Sequence, residues 1–429
     1  MRPAVSSFVL LAVLLVSSLG NAATEAASVQ LPWASDLLAV FRDRLSSTSL
    51  DDTERVRLTV DTYFRLKAEG WVRLQAPDLA PVMESGESLS YEQGRLAYSI
   101  ECWRQVGHVH GSCEYRPKYR SIAFDGDSCL VSICPIVWLR GAVRYQVGAE
   151  LHEILLVRSH DGWKIREDRY EDEFTDMYPR GTDFQQLLVA LPSELAGFRD
   201  REKEIELQLA SDPRSNSDWT PDMPGVMATY VSYDRTRAAQ YGTTYTNNDG
   251  SLYTTTGYNP LFKSYNPSDC QNFVCQCIWY GFGGINDYAH ISAHLFPMVG
   301  NGGPLGTWSW WSDGASTVYL PGQTYDWPWV NVSDFYGIAQ DQYLNDKIGV
   351  QATLATSSTV YKGDYVATAG WSHVLIIVNC IDANGNRVYD YSEIWVSAHT
   401  SNRRNVPLAS LYPSPSSVVF VRVVRYRDS

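Results

Sequence analysis

Four side chains in the C-terminal half have the right types for nucleophilic chemistry: Cys270, His373, His399 and Asn402. Cys270 lies in the run Tyr265-Asn266-Pro267-Ser268-Asp269-Cys270-Gln271-Asn272-Phe273. Ser268, with Gln271 three residues on, has the pattern of an N-cap with a capping box. Phe273, Val274, Cys277 and Ile278 then continue an apolar stripe that predicts a helix ending near Gly281. Cys270 shares that stripe and sits in the first turn, where unpaired N–H groups and the positive end of the helix dipole favour a thiolate. The same N–H groups, with Asp269 and Gln271 in support, are placed to hold an oxyanion. A buried packing thiol is the competing reading, because most helical cysteines pointing into a core are inert.

A thiol nucleophile needs a base within hydrogen-bond reach, and the base needs an orienting partner. His373 opens the apolar run Val374-Leu375-Ile376-Ile377-Val378, so it stands at a strand end. His399 closes the run Ile394-Trp395-Val396-Ser397-Ala398, and Asn402 lies just beyond. The reading is Cys270 as nucleophile and His373 as general base, then general acid. His399 or Asn402 holds the imidazole, with His399 preferred. A plain strand terminus is the alternative for His373.

The elements that must carry these residues follow from periodicity and turn chemistry. From Leu31 to Gln75 the pattern is helical. Strand-like runs follow at 97–100, 121–124, 130–133, 137–139, 145–149 and 153–157, and Trp163-Lys164-Ile165 begins another. Asp125-Gly126 and Asp161-Gly162 read as hairpin turns. Asp168, Glu171, Asp172 and Glu173 read as a solvated acidic loop without catalysis. Thr182 to Leu209 is a polar helix, and 211–224 is a Ser-, Asp- and Pro-rich linker. Helices are expected at 233–241 and 332–347 around the Cys270 helix, and strands at 363–366, 373–378 and 393–399. The fold class is α+β. The expected segments are 1–22, a signal peptide; 30–180, a helix and curved antiparallel sheet; 181–225, a helix and linker; and 226–429, the domain with the chemistry.

The signal reading rests on Arg2, the apolar run Phe8 to Val16 and a small-residue cleavage point after Ala22. It implies a secreted or extracytoplasmic protein with no stable membrane anchor. The formal charge of -13 becomes -14 without Arg2, which argues against nucleic acid and anionic membranes as partners. The chain has eight cysteines. In an oxidising compartment Cys102, Cys113, Cys129 and Cys134 would form two disulfides, and Cys275 or Cys277 would bridge to Cys380. No cofactor is expected. Cys270-x4-Cys275-x-Cys277 does not have zinc spacing, and His290 and His294, four apart, lack the glutamate of a metalloprotease helix. Trp308, Trp310, Trp311, Trp327 and Trp329 form an aromatic-rich stretch suited to stacking on sugars or to packing over a site. Asn331-Val332-Ser333 is a glycosylation sequon.

Helix-borne cysteine, strand-borne histidine and a polar residue on a neighbouring strand resemble the layout of papain-like cysteine hydrolases. Several motifs together resemble the putative amidase domain family of that group: Tyr233-Asp234-Arg235, Ala238-Ala239-x-Tyr241, Asp269-Cys270-Gln271-Asn272-Phe273-Val274-Cys275-Gln276, Gly283-Gly284, Gly363-Asp364-Tyr365-Val366, Ser372-His373 and Ala398-His399-Thr400. The resemblance covers about Tyr230 to Leu411. The stretch Trp163 to Phe174 is similar to the region often found upstream in that family, and the first segment resembles a cystatin-like cone. Cys275 departs from the serine expected before Gln276. The resemblance implies amide hydrolysis through a Cys270 thioester, with a peptide or small amide as substrate and cell-wall peptides among the candidates. The rival readings are a non-catalytic glycan- or peptide-binding module on the same fold, and a disulfide-stabilised scaffold. Oligomeric state is not encoded in any pattern found.

Overall fold

The computed structural model describes residues 31–427 apart from 48, 141–143, 148–149, 171, 213–229, 251–253, 263, 266–267, 287–330, 348, 384 and 387–388. The expected signal, most of the linker, Glu171, the His290/His294 pair and the five tryptophans of the aromatic stretch lie outside the described residues. The protein is α+β, and its described strands form two antiparallel sheets.

The first half opens with α1 (Pro32–Ser46), α2 (Asp52–Arg73) and α3 (Glu87–Gln105). Asp51 caps α2 in a full capping box with Glu54. The strands are β1 (Ser112–Asp125), β2 (Ser128–Arg140), β3 (Arg144–Val147), β4 (His152–Ser159) and β5 (Gly162–Arg169). They lie in the order β1-β2-β4-β5, with β3 also on β2. The hairpin turns at Asp125-Gly126 and Asp161-Gly162 are where the sequence places them. Odd-numbered residues of β2, including Cys129, Val131 and Ile133, face the core with Val56, Val60 and Tyr63 of α2. Two expectations need correction. Residues 97–100 belong to α3, because Leu96, Ile100 and Trp103 recur at helical spacing on its buried face. The runs 130–133 and 137–139 form one strand; Pro135 pairs with Pro117 and does not break it.

A short α4 (Glu173–Met177) leads to α5 (Phe184–Ser211), which crosses to the second sheet. Its Phe198 joins that sheet's core, and its Glu202 accepts from the Ser357 N–H at 2.6 Å. The second half contains β6 (Tyr230–Ser232), α6 (Arg235–Thr244), α7 (Cys270–Gly281), α8 (Val332–Leu344), β7 (Gly349–Ala355), β8 (Tyr365–Thr368), β9 (Val374–Cys380), β10 (Ile394–Ala398), β11 (Arg403–Pro407), α9 (Leu408–Leu411) and β12 (Val418–Arg427). The strand order is β11-β10-β9-β8-β12-β6, with β7 on β12. Helices cover both faces. Val374, Ile376 and Val378 of β9 pack with α7, and Leu375 and Ile377 face the opposite core. Burial on both sides is why this strand reads as an unbroken apolar run. β12, which pairs with three other strands, is absent from the sequence-based expectations.

Candidate active site

Helix α7 spans Cys270 to Gly281, as its stripe and terminal glycine predict, but nearly every residue of it is buried. It is a central helix rather than an amphipathic surface one. Its N-cap is Asp269, not Ser268, and no side chain caps it. The Asp269 carboxylate is committed elsewhere. Oδ1 accepts from the Tyr265 N–H at 2.6 Å and from Asn272 Nδ2 at 2.8 Å, and Oδ2 meets His399 Nδ1 at 2.6 Å. The Asp269 N–H donates to Thr400 Oγ1 at 3.0 Å. The turn after β10 therefore grips the start of α7 at two points.

The backbone N–H groups of Val374 and Gln271 lie near enough to the Cys270 sulfur to favour its thiolate. Burial nevertheless dominates and pushes the thiol up to about 11. This corrects the expectation that the helix start holds a resting thiolate: N–H donors lower the value, but by less than desolvation raises it. Cys270 and Val374 share one buried cluster, which sets Cys270 beside the β8–β9 turn that carries His373. There Thr368 Oγ1 accepts from the N–H groups of Ser372 at 3.0 Å and His373 at 3.1 Å. Burial, and then the Arg403 charge, bring the His373 imidazole down to about 4. Its Nε2 is buried without a hydrogen-bond partner among the described residues. Near neutrality the site holds a neutral thiol and a neutral imidazole with an unused ring nitrogen.

His399 and Asn402 do not reach His373. His399 Nδ1 is on Asp269 and Nε2 is on the Tyr245 carbonyl at 2.7 Å, so both nitrogens are used. The ring is sandwiched between Tyr258, at 3.4 Å between centroids, and Phe273, at 3.8 Å. Asn402 accepts from Tyr258 OH at 2.7 Å and donates to Asp249 at 3.1 Å. Asn402 thus holds Tyr258, Tyr258 and Phe273 clamp His399, and His399 fixes Asp269 next to the nucleophile. Tyr258 had no sequence signal, since nothing local marks a ring that stacks across 141 residues. Gln271 does not present its amide donor to the space beside Cys270. Its Nε2 lies 3.0 Å from the Cys275 sulfur, and its Oε1 is buried and unpartnered.

The remaining motifs meet in space as supports. Tyr233 OH donates to the Gly363 carbonyl at 2.6 Å, and Arg235 pairs with buried Asp364. Gly363 has φ +91, and a Cβ there would come within 2.8 Å of the Arg235 backbone, so glycine is required. Tyr241 OH donates to Gln276 Oε1 at 2.8 Å, tying α6 to α7.

Two further expectations fail. All eight cysteines are free. Cys113 pairs across the ladder with Leu139, whereas Cys134 pairs with Lys118, five positions along β1. That offset is about 16 Å at ~3.3 Å per residue, beyond disulfide reach. Nor are Asp168 and Asp172, the described side chains of the acidic stretch, solvated. Asp168 is fully buried, bonded to His152 Nδ1 at 2.7 Å and Tyr63 OH at 2.9 Å. Asp172 caps α4 and pairs with Arg95.

Residues 232–422 match the family described as a putative amidase domain. No curated protein matches the chain. Among solved structures, it is similar to the intermembrane space region of the chloroplast protein ARC6 at 18% identity and a TM-score of 0.22, covering 28% of this chain and 96% of that one. It is also similar to the Kfla4162 protein from Kribbella flavida at 16% identity and a TM-score of 0.21, covering 28% of this chain and 91% of that one.

Proposed function

From the match of residues 232–422 to an amidase family, we propose that this protein is a secreted cysteine amidase whose nucleophile is Cys270 and whose base is His373. One observation carries the reading: Cys270 shares a buried cluster with Val374, the residue after a histidine with a buried, unpartnered Nε2, and the Val374 N–H favours the Cys270 thiolate. The neutral pair implies general-base catalysis rather than a standing ion pair. As the sulfur attacks the amide carbonyl carbon, the thiol proton passes to His373 Nε2. The carbonyl oxygen becomes an oxyanion, held by backbone N–H groups at the start of α7; one such donor is typically worth about 2.7–4 kcal/mol of barrier. The C–N bond breaks, His373 returns the proton to the leaving amine, and a thioester remains on Cys270. Water, deprotonated by His373, then cleaves the thioester to a carboxylic acid and the free thiol. His399 and Asn402 act in this scheme through Asp269 and Tyr258, as positioning residues. The substrate is a peptide or small amide, with cell-wall peptides as the first class to test.

The test is amine release from cell-wall fragments and peptide libraries, with mass spectrometry of the protein quenched in acid during turnover. A substrate-sized mass increment on Cys270, and loss of release in Cys270→Ala and His373→Ala, are expected. Release that persists in Cys270→Ala would overturn the reading. The neutral thiol is equally what a binding module with a packing cysteine would have. That second reading requires no acyl increment and unchanged ligand affinity in Cys270→Ala.

A further inference from the structure

A cavity of about 110 Å³, not lined by Cys270 or His373, lies between the two halves of the protein. One stripe of α3 supplies Glu92, Arg95, Leu96, Ser99 and Trp103 to its wall, and α2 supplies Phe64, Lys67 and Trp71 at the same helical spacing. His152 of β4 and Tyr170 line it from the sheet, and Arg403 and Leu411 close it from the second half. The two halves are joined at its rim. Arg403 Nη2 meets Glu150 Oε1 at 2.5 Å, and Trp103 Nε1 donates to the Ala409 carbonyl at 2.7 Å.

Its charges cancel. Lys67 pairs with Glu92 at 2.8 Å, Arg95 with Asp172, and Arg403 with Glu150. A net-charged guest would find no spare counter-ion and would lose its hydration. Two polar atoms are unused. His152 is 5% exposed, and its Nδ1 is bonded to Asp168 Oδ1 at 2.7 Å. Among the described residues its Nε2 has no hydrogen-bond partner, and neither does the Ser99 hydroxyl. Burial raises the Asp168 carboxyl, but His152, Lys67 and Tyr63 outweigh it and hold Asp168 below the usual range. The carboxylate therefore holds Nδ1 and leaves Nε2 as the ring nitrogen without a partner at the cavity wall. The rest of the wall is aromatic: Tyr170 lies 4.3 Å from the His152 ring and Phe64 lies 5.1 Å from it.

We propose that this cavity is a second, ligand-binding site, which takes a small uncharged molecule with one hydroxyl group and an apolar or aromatic body. The hydroxyl, able both to donate and to accept, bonds His152 Nε2 and the Ser99 hydroxyl, and the ring packs against Phe64, Trp71 and Trp103. The volume suits a single ring: an engineered apolar cavity of about 150 Å³ binds benzene. The site is independent of the amidase reading, because Cys270 and His373 do not line it.

The experiment is calorimetric titration of the full chain with phenol, benzoate and benzylamine, paired with thermal unfolding. Phenol binding with a raised Tm, and at least tenfold weaker binding of benzoate and benzylamine, are expected. Phenol affinity should fall about tenfold in His152→Ala, equivalent to ~1.4 kcal/mol, fall as far in Leu96→Phe, which fills the cavity, and hold in Cys270→Ala. If His152→Ala does not fold, Leu96→Phe decides. No binding of phenol, equal binding of the charged probes, or unchanged affinity in a folded Leu96→Phe would overturn the proposal.

Discussion

Asp269 Oδ2 and His399 Nδ1 lie 2.6 Å apart, with both side chains 1% exposed, so the residue before the nucleophile is locked to the residue that closes β10. Thr400 adds the neighbouring N–H bond at 3.0 Å. Helix α7 is therefore located by the sheet rather than by its own cap.

Removing His399 leaves Asp269 Oδ2 buried without its partner, while Oδ1 keeps the Tyr265 and Asn272 donors. His399→Ala should destabilise the protein by about 3–5 kcal/mol, read as a lower midpoint in urea at pH 7. Adding Asp269→Asn should recover part of the loss, because the stranded charge goes with it. Independent, additive losses would show that the two residues do not act as a unit.

The state of the Cys270 sulfur is measurable. With the thiol at about 11, only about one molecule in ten thousand carries a thiolate at pH 7. Iodoacetamide labelling of Cys270 should be slow at pH 7 and climb about tenfold per pH unit up to pH 10. A rate that is flat from pH 5 to pH 8 would instead mean a standing thiolate–imidazolium pair. His373→Ala should abolish turnover while leaving this labelling nearly unchanged.

Burial holds His373 at about 4 against an ordinary 6.5, so the unfolded chain binds the proton more readily. The stabilising contribution of the neutral ring is complete above about pH 6.5 and disappears as the pH falls from there toward 4. Wild type should lose up to about 3 kcal/mol more than His373→Gln across this window. Equal pH dependence in the two proteins would show that the ring is not held neutral by burial.

Free cysteines at all eight positions predict eight thiols titrating with a thiol reagent in denatured, unreduced protein. Four or fewer would mean at least two disulfides, against a structure in which all eight thiols are free.

Local rules determined a good part of this protein. The span of α7, the hairpins at Asp125-Gly126 and Asp161-Gly162, and the placing of His373 and His399 at strand ends all depend on neighbours within a few residues. Residues 97–100 misled because four apolar-rich positions fit either period, and only the contacts of Leu96, Ile100 and Trp103 choose the helix. β12 went unread because its role as partner to three strands is written in those other strands. Tertiary structure alone decided which group holds which: His399 on Asp269 rather than His373, Asp168 inside rather than in water, and cysteines in separate registers. It also decided the charge of the sulfur. A helix start is a local feature, but desolvation is the sum of everything packed around Cys270 from the whole chain, and that sum is the larger.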